Sequence, residues 1–161
     1  MPLDFTTNLV NLLGQPLASS AARDALRKLA VTDIPDPKPG RTSVDIRLRA
    51  LGLDIVFKPT QELRDGASFG VPPGERVAAV LFFHGPGFEN YAGYASPLPY
   101  GLSFDQSRSA VQSRLGSPSG PSVRFKNDRW DFERVYLTLD FTDDERQIKL
   151  VTVGLPWKPR A

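Results

Sequence analysis

The sequence predicts an α+β fold: two helix-plus-antiparallel-sheet repeats forming one continuous sheet, with the helices on one face. Three observations predict it. Each half contains one stretch with apolar residues three and four apart, which is helical spacing. Each also contains runs in which apolar and polar residues alternate strictly, the period of a strand with one buried face. The order helix, strand, strand, strand then occurs twice, with Leu17 and Leu102, and Phe57 and Phe141, each roughly 85 residues apart, the spacing expected of a duplicated unit.

In the first copy, about residues 12–90, "GQPLASSAARDALRKLA" carries Leu17, Ala22, Leu26 and Leu29 at helical spacing with Ser19 or Ser20 as cap. Pro35, Pro37 and Pro39 exclude its continuation. Val44, Ile46 and Leu48 alternate with Asp45, Arg47 and Arg49, and Leu53, Ile55 and Phe57 form a second alternating set. Residues 77–83 are more continuously apolar, as a central strand would be. Residues 58–76, "KPTQELRDGASFGVPPGER", form a long polar loop before that third strand.

The second copy, about residues 98–155, opens on "LPYGLSFDQSRSAVQSRLGSP". Ser103 and Gln106 have the spacing of a capping box, Phe104, Val111 and Leu115 form an apolar stripe, and Gly116 with Pro118 stops the helix. Val123 and Phe125 are joined to Trp130 and Phe132 by the short polar "KND", which suits a hairpin. Trp130 is expected in the core. Val135, Leu137, Leu139 and Phe141 then alternate with polar residues, residues 142–145 form a turn, and Ile148, Leu150 and Thr152 resume the alternation. With "YASPLPYG" as connector, the two copies are expected to make residues 1–161 a single domain sharing one core, since halves this small bury little surface alone.

Composition narrows the function. The chain has 161 residues, 40% hydrophobic and 24% charged, as ordinary globular proteins have. It lacks an apolar run long enough to span a membrane, and its first residues lack the basic start of a secretory signal, so a cytoplasmic location without membrane attachment is expected. No cysteine is present, which excludes disulfides and thiol chemistry. Twenty basic and eighteen acidic side chains are interleaved instead of segregated, which argues against nucleic acid as partner.

The motifs that invite a chemical reading do not complete one. "LFFHGPGFENY" is similar to the oxyanion loop of lipases and esterases, but His84 is the only histidine and no G-x-S-x-G elbow exists. "GVPPGERV" and "PDPKPGR" carry prolines where a phosphate loop needs free amides. Asp140, Asp143, Asp144 and Glu145 lack calcium-loop spacing and read as a solvated hairpin tip. The expectation is therefore no catalytic residue, no metal and no cofactor; the alternative is a small-ligand binder or hydrolase using the His84 loop.

A family resemblance rests on "GLSFDQSRSAVQSRLGSP" followed by "RWDFERVYLTLDFTDDERQIKLVTV". With Gly101, Ser103, Val111, Leu115, Gly116 and Pro118, this segment is similar to the repeat unit of the β-lactamase inhibitor protein and of the SmpA/OmlA lipoproteins. The whole chain resembles small bacterial immunity proteins of polymorphic and type VI toxin systems. The resemblance implies a tandem scaffold that binds another protein, most concretely an immunity or inhibitor protein that neutralises a cognate toxin by occlusion. It transfers no catalytic residue.

Aromatic side chains dominate binding hot spots, and "GFENYAGYASPLPY" places several in a Gly- and Pro-rich connection. Tyr91 and Tyr94 are the expected partner-binding anchors, with Glu89, Arg64 and Asp65 as polar rim.

Overall fold

The computed structural model describes residues 3–122 and 124–158. Among these residues the fold is α+β, with three α-helices and one seven-stranded antiparallel sheet. Helices α1 (Leu3–Asn11) and α2 (Ser20–Lys28) precede strands β1 (Val44–Leu48), β2 (Leu53–Pro59) and β3 (Arg76–His84). Helix α3 (Arg108–Leu115) precedes β4 (Gly120–Ser122), β5 (Asn127–Asp131), β6 (Tyr136–Phe141) and β7 (Ile148–Gly154). The strand order is β1-β2-β3-β7-β6-β5-β4, so β3 and β7, the last strands of the two halves, pair near the centre.

Helix α2 begins where the sequence places it. The Ser19 hydroxyl accepts from Ala22 N at 3.1 Å, and Ala22 and Leu26 are buried on one stripe. Helix α1 was not anticipated, although Leu9, Leu12 and Leu13 lie in the core with 3% exposure or less.

Helix α3 begins later than the sequence suggests. Gln106 Oε1 does accept from Ser103 N at 3.0 Å, but the Ser103 hydroxyl turns to Asp105 and the N-cap is Ser107, accepting from Ala110 N. Tertiary bonds hold the intervening residues out of the helix: Ile148 N donates to Phe104 O, and Arg108 N donates to Glu145 O, both at 2.9 Å. Phe104 therefore packs on the core from a loop, not from the helical stripe.

The first half's alternations hold. Val44, Ile46, Leu53, Ile55 and Phe57 are buried on one face, and Asp45, Arg47, Asp54 and Lys58 point to the other. In the second half, a register shift between Asp140 and Phe141 changes the phase. Ile148 is buried and pairs with Phe141, but beyond it Val151 and Val153, not the expected Leu150 and Thr152, join Leu139 and Leu137 on the core side; Leu150 and Thr152 turn to the second face, where Thr152 is still only 7% exposed. A second register shift lies between Val56 and Phe57. The hairpin before β6 also differs from expectation: β4 pairs Gly120 with Arg129 and Ser122 with Asn127, Phe125 is 64% exposed at its tip, and Val123 lies outside the described residues.

One continuous core joins the buried faces of the helices to the inner face of the sheet. Trp130 belongs to it, 4% exposed, its indole donating to Gly116 O at 3.2 Å. Under α3, the Arg108 guanidinium grips the fully buried Asp128 carboxylate through Nε at 3.1 Å and Nη2 at 2.7 Å, and Gln112 adds a third bond at 2.7 Å. A buried charge of this kind is tolerable only because its lone pairs are filled. No helix among the described residues is long and apolar enough to cross a membrane.

Candidate functional site: the open face of the sheet

Because strand side chains alternate, the sheet's second face carries the complementary set of residues. On β1, β2, β3 and β7 this set encloses a groove of about 380 Å3, to which no α-helix contributes a lining residue. Its apolar floor is the half-buried Val56, Phe82 and Leu150, with Val80 beside them only 1% exposed; Arg47, Lys58 and Trp157 line it, as do Tyr91 and His84.

The His84 end is the most ordered part. His84, the last residue of β3, is 7% exposed, and its Nε2 lies 3.1 Å from Asp54 Oδ2 on the neighbouring strand. The Tyr91 hydroxyl donates to Asp54 Oδ1 at 2.6 Å. Its ring stacks on the imidazole, centroids 3.6 Å apart and planes within 10°. The Arg49 guanidinium covers the tyrosine ring at 4.9 Å and donates to Glu89 O at 2.9 Å. Burial, followed by the bond to Asp54 and the Asp54 charge, pushes the Tyr91 phenol up to about 12. Tyr91 thus remains a donor to Asp54 at neutral pH.

The loop after β3 is shaped to deliver this tyrosine. Tyr94 N donates to His84 O and Ala92 N to Arg49 O, both at 2.9 Å, folding the loop back over the β1–β2 turn. Glycine is required beneath it: Gly52 has φ +67°, and a Cβ there would lie 2.3 Å from Ala92 O. Gly85 N donates to Lys149 O and Gly87 N to Tyr91 O. Both glycine amides that an oxyanion loop would need are therefore already bonded.

A second aromatic–cation array lies beyond the floor. Lys58 Nζ sits 4.5 Å over the Trp157 ring, and the Arg129 guanidinium 4.2 Å over Tyr136. The Tyr136 side chain packs against Gly154, where a Cβ would approach its hydroxyl to 2.7 Å.

The structure brings together Tyr91 and Glu89 among the residues singled out from sequence, both lining this groove, but Tyr91 is only 6% exposed, because it is stacked on His84, bonded to Asp54 and covered by Arg49, so it ties the loop down instead of standing out as an anchor. Tyr94 goes to the other side of the sheet, 7% exposed, edge-on to Phe83 at 4.8 Å with its hydroxyl 2.7 Å from Thr6 Oγ1. Burial pushes its phenol up as well. Tyr94 is thus a core side chain in this conformation, because the loop between it and Tyr91 crosses the end of the sheet. Arg64 and Asp65 are exposed and lie outside this groove, together lining another cleft beside Phe69, Arg134 and Leu155. Their loop is more ordered than its composition suggests: Arg64 N donates to Pro156 O, and Ser68 caps back onto Asp65 O.

Sequence reasoning passed over Asp54, Arg47, Arg49, Lys58 and Trp157. Arg47 and Arg49 were read as the polar half of an alternation, which is the signal that places a residue on one face; Lys58 was assigned to the 58–76 loop, but β2 continues through it to Pro59 because its backbone pairs with Val77 of β3. The acidic cluster disperses: Asp140 faces Asn127, Asp144 accepts from Thr142 and Arg146 N in the turn, and Glu145 meets Lys126 at 3.0 Å. No protein-family model, curated protein or solved structure matches the chain.

Proposed function

We propose that the chain is a protein-binding module of the inhibitor or immunity kind, acting in the cytoplasm by covering a functional surface of a toxin. The observation that supports this most directly is the second sheet face, where Trp157, 51% exposed, and the cations Arg49, Lys58 and Arg129 are held in cation–aromatic pairs, Arg49 and Arg129 over the buried rings of Tyr91 and Tyr136. Tyr, Trp and Arg are the residue types that carry most binding energy at protein interfaces, and here a strand framework holds several of them in fixed directions. In this reading the protein performs no reaction and needs no cofactor. The β-lactamase-inhibitor-like motifs of the second half favour the same class.

The finer architecture belongs to the proposal too. We read β1–β3 and β4–β7 as two repeats joined through β3 and β7, because each half keeps its strands sequential in the sheet. Each half also has a register shift immediately before a fully buried phenylalanine, Phe57 and Phe141.

The test is binding to the product of the reading frame adjacent to the gene, by calorimetry on purified proteins. Trp157→Ala and Arg49→Ala are expected to weaken the complex by at least about 2 kcal/mol each, about thirty-fold in Kd, with melting temperature nearly unchanged. Binding that neither substitution affects would move the interface off this face.

The alternative, a small-ligand or hydrolytic site at His84, draws on the groove reaching the imidazole. His84→Ala abolishing turnover of a small ester while sparing protein binding would favour it.

A further inference from the structure

The groove combines an apolar floor with a cationic rim, and the combination specifies an occupant. The floor an occupant can reach is Val56, Phe82 and Leu150, each half-buried and contributed by three adjacent strands; Val80, opposite Val56 in register, is 1% exposed. Four cations, Arg41, Arg47, Arg49 and Lys58, surround them together with three carboxylates, Asp45, Asp54 and Glu89. Two of those carboxylates are already engaged. Asp54 accepts from both His84 and Tyr91, and Asp45 lies 3.9 Å from Arg47 Nη2. Lys58 rests on the Trp157 face, an arrangement that fixes the ammonium while leaving its hydrogens for an incoming acceptor.

Resting on the binding-module reading above, we infer that the partner is recognised through an acidic peptide segment carrying one large apolar side chain. The apolar group seats on the Val56–Phe82 floor, and carboxylates on either side of it meet Arg47 and Lys58. A nucleic-acid backbone would use the rim but leave the floor unfilled, so the peptide satisfies more of the surface.

Short blocked peptides test this on the full chain by two-dimensional NMR. A peptide of glutamates around one phenylalanine is compared with lysines around phenylalanine, glutamates around alanine, and a short oligothymidylate. The glutamate–phenylalanine peptide is expected to shift the Trp157 indole and the Val56 and Phe82 amides, leaving the Trp130 indole in place. The alanine peptide is expected to bind at least about ten-fold more weakly, as is the first peptide to the double variant Arg47→Glu, Lys58→Glu.

Equal shifts from the lysine peptide, no saturable shift from the glutamate–phenylalanine peptide, or displacement of that peptide by equimolar oligothymidylate would overturn the inference. The two readings fail separately. A toxin that binds through Trp157 yet ignores the double charge reversal overturns the acidic segment and keeps the binding module. Peptide binding without any binding of the neighbouring gene product supports the acidic-segment site and removes the toxin reading.

Discussion

Two tyrosines three residues apart have opposite jobs. Tyr94 fills the core beside Phe83 and bonds Thr6 of α1, so Tyr94→Ala should cost about 3 kcal/mol or more, read as a lower urea midpoint. A variant that keeps its midpoint would show that the side chain is not packed as described. Tyr91 instead ties its loop to Asp54, and its phenol is raised from 10.0 to about 12. An acid whose folded pKa is raised holds its proton longer in the folded state, so its contribution to stability is complete below pH 10 and is lost as pH climbs towards 12. Tyr91→Phe should therefore flatten part of the alkaline fall in stability across that window. Parallel alkaline limbs for the two proteins would show that the Asp54 bond does not act on the phenol.

At the level of elements, α3 is held to the sheet by charge as well as by Val111, which is fully buried. Arg108→Met leaves the Asp128 carboxylate buried without its guanidinium, an arrangement expected to cost about 3 to 5 kcal/mol. The double variant Arg108→Met, Asp128→Leu should recover most of that loss, since no charge is then stranded. Chemical denaturation of the two variants checks both halves of the statement; equal instability of the single and double variants would assign the effect to packing instead. The late start of α3 has a related cause. The sequence points to Ser103 as cap, and the bonds from Ile148 to Phe104 and from Arg108 to Glu145 move the start to Ser107.

For the whole molecule, β3 and β7 form the junction between halves, with five residue pairs from Val80↔Gly154 to His84↔Leu150. Arg134 adds a bond of 2.8 Å to Leu13 O across the same divide. Residues 95–161 expressed alone would expose the β7 edge and the core faces of Val151 and Val153. They are expected to give no cooperative urea transition by circular dichroism. A sigmoidal transition from that fragment would show that each half holds its own core.

The α+β class, the position of α2, the alternating strands of the first half and the burial of Trp130 were legible in the sequence, because each depends on local periodicity or a local cap. The phase of β7 was not, since the shift at Asp140 and Phe141 is set by pairing with another strand. Nor was the separation of Tyr91 from Tyr94, which follows from a loop folding back across the sheet end onto Gly52. The open-face groove lies between these cases. Alternation alone assigned Asp45 and Arg47 to a polar face, while Lys58, read as the start of a loop, joined it only because β2 runs on to Pro59. That this face would converge on His84, Tyr91 and Trp157, distant in sequence, was decided only by the antiparallel order of the strands, which brings such residues within a few ångströms of one another.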